Sequence, residues 1–213
     1  MAPRVAGGLH ESINVQLLEI GRQLRQPNGY PFSPEALKAH LQDAIEGRLN
    51  GAVAQVKKLL ELVTTASVAA IESFEAADHF KVGTEKAATR IYYLGDNFKE
   101  HFGCKKEGAS EAVEIKVHKL TESSLDVPII TELADKCEIT LGQFFSLLSK
   151  QGKGESGPLL TDGWANIAYI RDDEGILWAV RARWFAGRGG WNVGALSVED
   201  PCRWDGGHRV LSG

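Results

Sequence analysis

Arg171, Arg181, Arg183 and Arg188, with Arg203 and Arg209 behind them, crowd the last quarter of the sequence, and Tyr169, Phe185 and five tryptophans fall in the same stretch. Guanidinium groups on one face of a sheet grip phosphates or carboxylates through paired hydrogen bonds. Trp164, Trp178, Trp184, Trp191 and Trp204 could add a platform for bases, sugars or a partner's side chains. Packing is the preferred role for most of them, because a tryptophan adds a large apolar area to a small core. Trp204, next to Arg203 in a glycine-rich tail, is expected to be the exposed one. The arginines have a plain reading too: residues 151–213 hold seven Lys and Arg against eight Asp and Glu, so a solvated face paired with Asp162, Asp172, Asp173 and Glu174 would account for them.

Thiol chemistry has weaker support. Cys202 with His208, or Cys104 with His101, could supply a thiolate and its base, but no cysteine-protease context or Gly-x-Ser-x-Gly elbow accompanies them. The cysteines and histidines lack the short paired spacings of a zinc site. Gly187-Arg188-Gly189-Gly190 is followed by a strand pattern rather than by Lys-Ser and a helix, so it reads as a hairpin turn and not a phosphate loop. No cofactor is expected.

These residues sit on a strand-rich carboxy-terminal part. Strands are predicted near 164–171, 176–185 and 191–198, joined by turns at Asp172–Gly175 and Gly187–Gly190. In the middle strand Ile176, Trp178, Val180, Ala182 and Trp184 share a core face, while Arg181 and Arg183 project from an exposed one. Val210-Leu211 could add a short edge strand.

Upstream, Arg90–Leu94 reads as a strand followed by a short helix, and 112–120 alternates as a half-buried strand. Thr140 caps a helix carrying Leu141, Phe144, Phe145, Leu147 and Leu148. The amino-terminal part is helical by pattern. Ile13, Leu17, Ile20 and Leu24 mark a first helix over 9–24; Ser33-Pro34-Glu35 starts a second that runs to about Glu46 on a buried stripe of Leu37, Leu41, Ala44 and Ile45. Val53, Val56, Leu60 and Val63 suggest a third, with 66–76 left open between helix and strand. The fold class is α+β: a helical amino-terminal region over 1–77, a mixed middle, and an α+β domain over 78–213 ending in an antiparallel meander, the two regions being separate or continuous.

Net charge −4 argues against a protein that coats nucleic acid or membrane, and three widely spaced cysteines fit a reduced cytoplasmic chain. No stretch approaches the roughly 20 apolar residues of a membrane-spanning helix. Ile91–Phe98, Asp126–Leu133 and Leu159–Ile167, with the Trp/Gly-rich end, resemble a group of short uncharacterised bacterial proteins of uncultivated lineages over roughly residues 80–211. The resemblance implies a bacterial cytosolic origin and transfers no activity, cofactor or site residue.

The expected function is a non-enzymatic binding or regulatory module. Its contact surface is placed on Arg171, Arg181, Arg183, Arg188, Arg203 and Trp204. A protein is the favoured partner. A small Cys/His-dependent hydrolase or transferase, and a single-stranded nucleic-acid binder using tryptophan stacking, are the alternatives. Self-association through the heptad-like seam stays open.

Overall fold

A computed structural model describes residues 17–18, 20–22, 24–25, 33–46, 58–83, 87–200 and 203–213. The chain forms two compact units, residues 1–57 and 58–213. In the first unit, helix α1 spans Pro34–Ile45. Ser33 caps it by accepting a hydrogen bond from Ala36 N at 3.3 Å. The expected buried stripe is not closed: Leu37 is half-buried, Leu41 is exposed and Ile45 is 79% exposed, because no described residue packs over that end of the helix. Residues 17–18 and 20–22 are helical, within the first predicted helix, but Leu17 and Leu24 are exposed. Ile13, Val53 and Val56 lie outside the described residues.

The second unit is mixed α and β, built on one seven-stranded sheet. Its strands are β1 (Leu60–Val68), β3 (Ile91–Leu94), β5 (Val113–Leu120), β6 (Asn166–Arg171), β7 (Leu177–Phe185), β8 (Gly190–Ser197) and β9 (Arg209–Ser212), in the order β1-β5-β9-β6-β7-β8-β3. β2 (Phe74–Glu75) and β4 (Lys106–Glu107) make a small separate pair. The helices are α2 (Ala76–His79), α3 (Asp96–Phe102), α4 (Asp126–Leu133) and α5 (Leu141–Lys150). Pairing is antiparallel except between β3 and β8 and between β6 and β9.

The third predicted helix is a correction. Leu60 and Val63 belong to β1, which runs antiparallel to β5 with an irregularity between Leu62 and Thr64. Val63, Thr64 and Thr65 are β-branched, and their stiff side chains suit a pleated surface better than a helix. The open segment 66–76 is strand at 66–68 and 74–75. A second correction concerns β9, which is interior rather than at an edge: residues 209–212 pair with β5 on one side and residues 209–211 pair with β6 on the other.

The meander strands and the Thr140-capped helix form where the sequence places them. Gln143 N donates to Thr140 Oγ1 at 3.1 Å and Thr140 N to Gln143 Oε1 at 2.9 Å, a reciprocal cap. Glu107 adds to it by accepting from Leu141 N and Gly142 N at 2.9 and 2.8 Å. This holds α5 against the first face of the sheet. There Phe98 and Phe102 of α3 and Phe144, Leu147 and Leu148 of α5 bury Ile115, Val117, Ile170, Val180, Trp184 and Trp191.

The opposite face is not simply exposed. Ile129 and Leu133 of α4, with Trp204, bury Leu120, Val210, Ile167, Tyr169 and Ala179 over the β5-β9-β6 part of the sheet. Toward β8 and β3 that cluster thins to Leu196 and Val198, and nothing of β3 belongs to it. The second face is therefore half covered, and the arginines of β7 stand at the boundary.

Candidate anion-binding site

Alternation along β7 sends Trp178, Val180, Ala182 and Trp184 into the first core, and Ala179, Arg181 and Arg183 to the second face. Arg181 lies opposite Gly194 of β8. Its guanidinium crosses the strand there, with Nε 3.7 Å from where a Cβ on Gly194 would be. Both arginines are half-buried, so their aliphatic stems lie along the sheet while their heads reach a cavity of about 310 Å³. Leu196, Arg203, Trp204, Asp205 and His208 line the rest of that cavity. Arg183 Nε is shielded from solvent and has no hydrogen-bond partner among the described residues.

Trp204 is 2% exposed, which corrects the expectation that it is the open tryptophan. Its backbone bridges to Ser124, with N–O distances of 2.8 and 2.9 Å, and its Nε1 donates to Asp126 Oδ1 at 2.7 Å. Tyr169 Oη donates to the same oxygen at 2.9 Å. Burial pushes the Asp126 carboxyl above its ordinary range despite these two donors, and its Oδ2 has no hydrogen-bond partner among the described residues. Trp164 is the tryptophan that meets solvent, at 42% exposure.

His208 packs edge-on between Trp164 and Trp204, with ring centroids 4.9 and 5.8 Å away. Its Nδ1 accepts from Ala165 N at 3.0 Å, which places the proton of the neutral ring on Nε2. Burial lowers its pKa, and the positive charges of Arg183 and Arg181 lower it further against the opposing pull of Asp205. The cavity thus combines three guanidinium groups, a neutral imidazole and one carboxylate. Such an array suits an anionic oxygen cluster, because two or more guanidinium groups can meet its lone pairs with charge-assisted hydrogen bonds.

The structure brings Arg181, Arg183, Arg203 and Trp204 together and separates the other two predicted site residues from them. Arg171 sits at the far end of β6, where its Nη2 and Nε donate to Glu138 at 2.6 and 3.0 Å and its Nη1 to Gly175 O at 2.7 Å. Its partner is thus Glu138 rather than the nearby turn carboxylates. Asp172 instead receives Trp178 Nε1 at 2.9 Å and lies 3.2 Å from His101 Nδ1, and Asp173 pairs with Lys105 at 3.2 Å. Burial opposes ionisation of Asp172, but bonds from Trp178, Ile176 N and Glu174 N, together with His101, hold its carboxyl below the ordinary range. Arg188 stands in the β7–β8 turn, beside Arg90 and Tyr92, around a second cavity of about 300 Å³. Arg209 alternates onto the first face with Leu211.

For thiol chemistry, His101 faces Asp172. Cys137 is buried, and burial raises its thiol pKa, the opposite of an activated thiolate. Cys202 lies outside the described residues. Among the described residues no group of three or more His, Cys, Asp or Glu could hold a metal, and no helix is long and apolar enough to cross a membrane. Sequence reasoning missed Asp126, Arg90 and Tyr92. The signal for Asp126 was present only as an acidic residue starting an apolar segment, Asp126-Val127-Pro128-Ile129. No protein-family model, curated protein or solved structure matches the chain.

Proposed function

We propose that residues 58–213 form a non-enzymatic binding module whose contact site is the cavity framed by Arg181, Arg183 and Arg203, and that it takes an anionic group of a larger partner. The observation that carries this reading is the buried Nε of Arg183, a donor held at the cavity without an acceptor among the described residues, beside two further guanidinium groups and one lining carboxylate, Asp205. A buried unmet donor costs about 1–3 kcal/mol, which a bound oxyanion would offset. The free thiols of Cys104 and Cys137 suit a reducing, cytoplasmic setting.

The test is an NMR titration with inorganic phosphate and with a short polyglutamate peptide, following Arg183 Nε–H and Trp204 Nε1–H. Saturable shifts at both groups are expected in the native chain, and no shift of Trp204 Nε1–H in the Arg181→Glu/Arg183→Glu variant. Resonances that stay in place with both probes would end the reading.

A further inference from the structure

We infer that the partner is a single-stranded nucleic acid, running from the Arg181/Arg183/Arg203 cavity on the sheet's second face, past Phe185, to the Arg90/Arg188 cavity at the β7–β8 turn. The inference rests on the anion-binding reading above and adds the chemistry that lies between the two cavities. That interval is aromatic. Phe185 follows Arg183 by two residues on the same face of β7, about 7 Å further along the strand. Its ring is 5.6 Å from Tyr92, edge to face, and Tyr92 is 6.4 Å from Tyr93. The register of β3 slips between Ile91 and Tyr93, so an extra residue is accommodated there and a tyrosine can be re-aimed. Asn192, the partner of Arg183 across β7–β8, donates to Tyr92 Oη at 3.1 Å and steadies that ring.

Phe185 and Tyr93 are each 45% exposed, and Tyr92 lines the second cavity. There Arg188 and Arg90 again supply cations, with Arg90 Nε buried and without a partner among the described residues. Glu155 lies near enough to feel Arg90, as Asp205 lies near the first cavity, so each basic site carries one opposing charge. Cation sites at both ends with stacking surfaces between them suit a chain that alternates phosphates and flat bases. An acidic peptide would use the arginines but not the exposed ring surface of Phe185.

The experiment is fluorescence anisotropy on the full chain with a labelled oligothymidylate of about eight nucleotides, within the ~4–16-nucleotide footprint of single-strand grooves. Polyglutamate of equal charge and inorganic phosphate serve as competitors. The oligonucleotide is expected to bind at least about tenfold tighter than polyglutamate and to weaken steeply with salt. Tyr92→Leu/Phe185→Leu, which keeps apolar bulk but removes the π faces, should cost about tenfold or more. Arg90→Gln/Arg188→Gln should flatten the salt dependence. An oligonucleotide bound no better than polyglutamate, or unaffected by the leucine double variant, overturns the inference and leaves the anion cavity standing if phosphate still shifts Arg183. Failure of all three probes to bind removes both.

Discussion

The second face of the sheet has two halves that meet on one strand. Over β5, β9, β6 and Ala179 of β7 it is roofed by α4 and Trp204; beyond Ala179, toward β8 and β3, the cover thins to Leu196 and Val198, and the residues change type at that line. Ala179 of β7 is buried under the roof, whereas Arg181 and Arg183, the next positions on the same face, are not. Cover decides composition. Where a helix excludes water the sheet carries Ile167, Tyr169 and Val210, and where none does β7 carries Arg181 and Arg183, with apolar stems and charged ends, and then the exposed Phe185.

The sharpest way to break this contrast is to cut into the roofed half. Trp204→Ala should lower unfolding free energy by about 3–5 kcal/mol, read from urea denaturation, since it leaves a large cavity. A loss below about 1 kcal/mol would mean that Trp204 is not part of a closed core. Asp126→Ala should cost about 2 kcal/mol, because it strands the indole and phenol donors of Trp204 and Tyr169. Asp126→Asn, which keeps an acceptor oxygen, should cost less. Equal losses for the two variants would assign Asp126 a role other than accepting these bonds.

A smaller effect should appear in pH dependence. His208 has a folded pKa below its ordinary 6.5, so on acidification the unfolded chain takes up the proton first. Its contribution is complete above pH 6.5 and is lost as pH falls below that value through the folded pKa. Thermal denaturation across this window should show stability dropping with acid, and His208→Gln should flatten the slope. The smallest change belongs to the open half: Tyr93→Ser should stay within about ±0.5 kcal/mol, and a larger loss would show that this half is packed after all.

What was legible in the residues was whatever depends on near neighbours. The alternation of Trp178 to Trp184 against Arg181 and Arg183, the Thr140–Gln143 cap and the turn at Gly187–Gly190 are each written within a few positions. What was not legible depends on distant partners. Leu60 and Val63 fit a helical spacing, and only pairing with β5, some fifty residues on, makes them strand. Trp204 looked open because the acceptor that buries it, Asp126, lies 78 residues upstream. Arg171 had four carboxylates nearby in sequence and chose Glu138 instead. Of the six residues named from the sequence, Arg181, Arg183, Arg203 and Trp204 come together at one cavity. Arg188 was separated from them because a turn carries it to another cavity.

The place of β9 has a consequence for biosynthesis. Four residues, Arg209–Ser212, join a β1–β5 pair to a β6-β7-β8-β3 block, and they follow the other six strands of that sheet in the chain. A nascent chain therefore carries two half-sheets with bare backbone edges at β5 and β6 until those residues clear the ribosome. Unpaired edges of this kind recruit other strands. Expression of this protein should accordingly depend on what shields those edges during synthesis, and truncation before Arg209 should yield aggregates rather than a smaller folded domain.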